Sequence, residues 1–85
     1  MELAKVLKYP LMGEKATFLR AQNKLTFIVD KNASKKEIKE AIETIYNVKP
    51  VKITTMITVE GLKKTHITLD ASYSAEEIAS HFGVL

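Results

Sequence analysis

The side chains that could do chemistry in this 85-residue chain are two histidines, ten carboxylates, twelve lysines and one arginine, with no cysteine. The absence of cysteine removes thiolate nucleophiles, disulfides and thiolate metal sites. His66 and His81 are fifteen residues apart, without the close spacing of a metal-binding pair. Glu76 and Glu77 are adjacent, but the first turn of a helix favours carboxylates in any case. The three glycines are scattered, so there is no phosphate cradle. These residues point to no catalytic site, no metal and no cofactor.

The lysines carry more information. Residues 1–36 hold eight basic groups and three acids, whereas residues 37–85 hold five and seven. A basic first half fits a polyanionic partner, and a solvated lysine surface would give the same composition. Lysine outnumbers arginine twelve to one, which favours diffuse phosphate contact over bidentate base readout. The candidate phosphate ligands are Lys8, Lys15, Lys24, Lys31, Lys35, Lys36, Lys52, Lys63 and Lys64. Asn32, Thr54, His66 and Thr68 add hydrogen-bonding groups to backbone or sugar. Apart from the imidazole of His66, Phe27 carries the only aromatic ring on the expected strands and points to the core, so a stacking platform for bases is not expected.

The elements that must position these groups centre on a hairpin. Val51, Ile53, Thr55, Ile57 and Val59 alternate with Lys52, Thr54, Met56, Thr58 and Glu60, predicting a strand with one apolar face. Gly61 marks the turn, and Thr65, Ile67 and Leu69 alternate with Lys64, His66 and Thr68 in the returning strand. Upstream, Pro10 biases Tyr9 towards extension, so residues 1–12 are expected as an arm across the domain. A short helix is expected from Gly13 to Ala21, with Gly13 as its N-cap. A strand follows from Lys24 to Asp30, with Leu25, Phe27 and Val29 inward and Thr26 and Ile28 outward.

Ser34 and Glu37 form a capping-box pattern ahead of Ile38, Ala41, Ile42 and Ile45, which predicts a helix ending near Asn47. Ser74 and Glu77 repeat that pattern before Ile78, Ala79 and Phe82, with Gly83 placed to end the last helix. The expected order is α-β-α-β-β-α, a single α+β domain over residues 1–85 that is ferredoxin-like in general character. Its small antiparallel sheet has three main strands and room for a short fourth. No apolar run approaches a membrane span and no signal peptide is recognisable, so a cytoplasmic protein is expected.

In sequence, the chain resembles the twenty-third family of universal large-subunit ribosomal proteins over essentially its whole length. The likeness rests on LKYPLMGEKAT (residues 7–17), KLTFIVD (24–30), KNASKKEIKEAIETIYNVKPVKI (31–53) and the hairpin ending at Leu69. Gly13, Thr54 and His66 depart from the family's usual residues. The resemblance implies a protein, monomeric apart from the ribosome, that binds large-subunit ribosomal RNA beside the peptide exit tunnel. It also implies neighbouring exit-tunnel proteins and docking of nascent-chain factors such as the signal recognition particle, with Glu14 at the docking position. Glu14 reads equally as a first-turn helix acid. The short hairpin tip, Glu60 to Lys63, is the feature that resembles the archaeal kind. The alternative function is a ferredoxin-like metabolite-binding regulatory module; a minimal hydrolase would need an arginine in a phosphate loop, which Arg20 does not have around it.

Overall fold

The computed structural model describes residues 1–82, and Gly83, the expected helix terminator, lies outside the described residues. The elements are α1 (Leu3–Val6), β1 (Leu7–Pro10), α2 (Glu14–Ala21), β2 (Lys24–Val29), α3 (Lys35–Tyr46), β3 (Pro50–Ile57), β4 (Lys63–Leu69) and α4 (Ala75–Ala79), with a 3₁₀ turn at Ser80–Phe82. The four strands form one antiparallel sheet in the order β1-β2-β4-β3. The α+β class is as expected, and the optional fourth strand is β1.

That strand corrects the expected extended arm. Tyr9 is extended before Pro10, but Leu3 to Val6 form a helical turn because Val6 has somewhere to go: it is fully buried, and Leu3 packs on the same core. The Met1 amine reaches Glu37 Oε2 at 3.2 Å, and Asp30 N–H donates to Val6 O at 2.9 Å, fixing the turn against α3 and the end of β2. A four-residue helix has too little intrinsic stability to form without such contacts.

The inner face of the sheet carries the core. Leu25, Phe27, Val29, Ile67 and Leu69 are buried there against Ile38, Ala41 and Ile42 of α3. The Phe27 ring lies 6.0 Å from that of Tyr46. Both halves of the Ser34 capping box are formed, with Glu37 N–H donating to Ser34 Oγ at 3.1 Å and Ser34 N–H to Glu37 Oε1 at 3.0 Å. Asn47 ends α3 in the left-handed region at φ 55°. Ile45, expected inward, is half exposed at 47%. At α4 the Ser74 hydroxyl accepts from Glu77 N–H at 3.2 Å.

The bonds from the Ser34 amide and then the amino terminus hold the Glu37 carboxyl below its ordinary pKa. Its stabilising contribution is therefore present above the usual carboxylate range and is lost as pH falls through the depressed value. Ser34→Ala, which removes the acceptor, is expected to lower unfolding free energy by about 1 kcal/mol in a denaturant titration.

The apolar face expected for β3 is only partly used. Val51 and Ile57 are 60% and 63% exposed, and Val59 is wholly exposed. Three features explain this. β3 is an edge strand; a bulge between Pro50 and Lys52 takes Val51 out of register; and the strand stops at Ile57, leaving Val59 in the turn. Thr58 N–H donates to Leu62 O at 2.8 Å and Gly61 adopts φ 86°, a conformation that favours glycine.

Candidate nucleic-acid interface

Strand register brings the polar residues of the outer sheet face into three cross-strand rows. Lys52, Thr68 and Lys24 form the first, Thr54, His66 and Thr26 the second, and Met56, Lys64 and Ile28 the third. Helix α2 lies over the β2 side of this face. Accordingly Thr26 and Ile28 are buried, whereas Thr54 and His66 are half-buried and Met56 is 42% exposed. The amphipathic logic is local: Ala16 is buried and Leu19 half-buried under α2, while Lys15 stays exposed beside them.

His66 sits where helix and strands meet. Its Nδ1 is 2.9 Å from Thr26 Oγ1, its cross-strand neighbour. Burial, followed by the charges of Lys64, Lys15 and Lys24, holds its pKa below the ordinary histidine value. His66 is thus a neutral hydrogen-bonding group at pH 7 rather than a fourth cation. The unfolded chain protonates first on acidification, so this histidine's contribution to stability is lost as pH falls from the ordinary value towards the depressed one. In NMR titration of the ring protons, the free protein is expected to show a midpoint below that of a model histidine, and inorganic phosphate should raise it by screening the three lysines.

The lysines of this face are electrostatically unspent. Among the described residues, ion pairs join the Met1 amine to Glu37 and Lys5 to Glu2, and neither uses Lys15, Lys24, Lys52 or Lys64. The structure thus brings together Lys15, Lys24, Lys52, Thr54, Lys64, His66 and Thr68. Lys31, Asn32, Lys35 and Lys36 form a second, exposed group at the β2–α3 connection. There Asn32 N–H donates to Asp30 Oδ1 at 2.8 Å, and the capping box leaves the Lys35 and Lys36 amides as the outward donors. Lys63 differs from both groups: its Nζ donates to Ala33 O, tying the start of β4 to that connection. Lys8 is exposed on β1, apart from the outer-face rows.

Two exposed rings stand out beyond the residues singled out in the sequence. Tyr9, on edge strand β1, is 46% exposed, so the strands do carry an outward aromatic side chain. Phe18 is 64% exposed and lies one helical turn beyond Glu14, itself exposed in the first turn of α2. The spacing of Phe18 from Ala16 and Leu19 was the available signal, since it falls off their buried side. Among the described residues no group of three metal-ligating side chains occurs, and no helix is long and apolar enough to cross a membrane.

Residues 5–76 match the family model described as Ribosomal protein L23. Among curated relatives, the large ribosomal subunit protein uL23 of Trypanosoma brucei brucei is 46% identical over 82 residues, covering 95% of this chain and 50% of that protein. The chain thus spans about half the length of this relative. The relative is eukaryotic, so the comparison does not carry the expected archaeal assignment. The family is one of structural ribosomal proteins rather than enzymes. On the match over most of its length and the identity to a family protein, this chain belongs to the ribosomal protein L23 family.

Proposed function

We propose that the protein is a structural constituent of the large ribosomal subunit that binds large-subunit ribosomal RNA through the outer sheet face and the β2–α3 connection. The carrying observation is the set of outer-face lysines with no carboxylate partner, arranged on paired strands with Thr54, Thr68 and neutral His66. Lysines in such an array release counterions from the RNA backbone, while hydroxyls and backbone amides fix the register of the contact. The rigid sheet pre-organises these groups, so little ordering cost falls on binding. Family membership supports the same reading and favours a position beside the peptide exit tunnel among other ribosomal proteins. On α2, Glu14 with Phe18 one turn on offers an exposed acid and an exposed ring for docking of nascent-chain factors such as the signal recognition particle.

The β2–α3 connection can be tested separately from the sheet. Lys35→Glu with Lys36→Glu is expected to weaken binding to a large-subunit ribosomal RNA fragment at least tenfold at moderate salt. Both side chains are exposed and lie outside the capping box, so circular dichroism should be unchanged. Unaltered binding would remove the connection from the interface.

A further inference from the structure

Between α2 and the outer sheet face is a cleft of about 200 Å³. Leu11, Ala16 and Leu19 line its walls; Thr26 and His66 lie on the sheet beneath; Gly13, Lys15 and Lys64 complete the lining. We propose that this cleft receives the base of one unpaired nucleotide of the bound RNA, with the nucleotide's phosphate held by Lys15 and Lys64.

Size and chemistry both select this occupant. The cleft is smaller than the roughly 300 to 1,000 Å³ of pockets that enclose drug-sized ligands, which suits one planar ring system. Aliphatic walls desolvate the faces of a base as apolar side chains do around flipped nucleotides, so no aromatic platform is required. Beneath them the Thr26–His66 pair, joined at 2.9 Å, offers a hydroxyl and a neutral imidazole to the polar edge of the base. Neither lysine is engaged by a carboxylate, so both are available to a phosphate. A carboxylate side chain could meet the lysines but would leave the aliphatic walls unfilled. A purely apolar occupant would leave the lysines and the Thr26–His66 pair unused.

The inference rests on the RNA-binding reading, and the test separates the two. The isotope-labelled full chain is titrated by NMR with AMP, GMP, CMP and UMP and, in parallel, with ribose 5-phosphate. At least one nucleotide should shift the Leu11, Ala16 and Leu19 methyl signals and the His66 ring signals saturably at millimolar concentration, with nuclear Overhauser contacts from base protons to those methyls. Ribose 5-phosphate should move signals of Lys15 and Lys64 and, by screening those charges, the His66 ring signals, but not the three methyl signals. The proposal is overturned if no nucleotide reaches the three methyl groups, or if ribose 5-phosphate reproduces the nucleotide shifts. Overturned in that way while the ribosomal RNA fragment still binds, the cleft loses its role and the RNA-binding reading stands. If the fragment does not bind, the RNA-binding reading falls and the proposal falls with it, even where a free nucleotide enters the cleft.

Discussion

Neutralising Lys24, Lys52 and Lys64 together with glutamine is expected to weaken binding to a large-subunit ribosomal RNA fragment about a hundredfold at 0.15 M salt. Each lysine that meets a phosphate contributes roughly one unit to the slope of log affinity against log salt, so the triple variant should lose about three units of slope. The large effect comes from geometry: register places the three residues on one face of adjacent strands, and none is diverted into an ion pair. The fold should tolerate the change, since Lys52 is exposed and Lys24 and Lys64 are only half-buried. Glutamine keeps the aliphatic stems without introducing like-charge repulsion. Electrophoretic or fluorescence binding measured from 0.05 to 0.3 M salt checks the magnitude and slope together, and a thermal melt checks that the variant remains folded.

The second large effect is on stability. Phe27→Ala should lower the unfolding free energy by about 3 to 5 kcal/mol, because the ring is 1% exposed at the centre of the inner face. Its loss leaves a cavity bordered by α3 and removes the contact with Tyr46. For a small domain whose total stability is of order 5 to 15 kcal/mol, the variant is expected to be partly unfolded at 37 °C. Chemical denaturation should show a lower midpoint with little change in slope. A loss below 1 kcal/mol would contradict the placement of Phe27 in the core.

The features legible in the sequence were those set by local physics. Ser34 and Glu37 announce a helix start because their side chains and amides satisfy each other within four residues. The alternation of Leu25, Phe27 and Val29, and of Thr65, Ile67 and Leu69, identified core-facing residues because β2 and β4 are central strands with α3 over their inner face. The same alternation misled at β3, where Val51, Ile57 and Val59 have the right types but lie on an edge, in a bulge and in a turn. No local signal distinguishes an edge strand from a central one. The helical turn at Leu3 to Val6 was equally illegible, since it depends on partners in α3 and β2 that are distant in sequence.

The candidate interface shows the same division. Alternation put Lys64, His66 and Thr68 on the outer face, and the rows confirm that placement. It could not show that α2 closes over half of that face, making His66 a neutral partner of Thr26 and leaving the cleft beside it. It implies that Lys63 faces away from the rows that hold Lys64, but not that its Nζ meets Ala33 O. Adjacent residues in a strand face opposite ways, so the Lys63–Lys64 pair divides between internal bracing and external binding.

The most direct measurement is binding of the purified protein to a large-subunit ribosomal RNA fragment, with excess transfer RNA as competitor, across a salt series. The outer-face account predicts tight, competitor-resistant binding whose logarithm falls with log salt at a slope of several units. Weak binding that the competitor erases equally would contradict it, leaving the lysines as a solvated face.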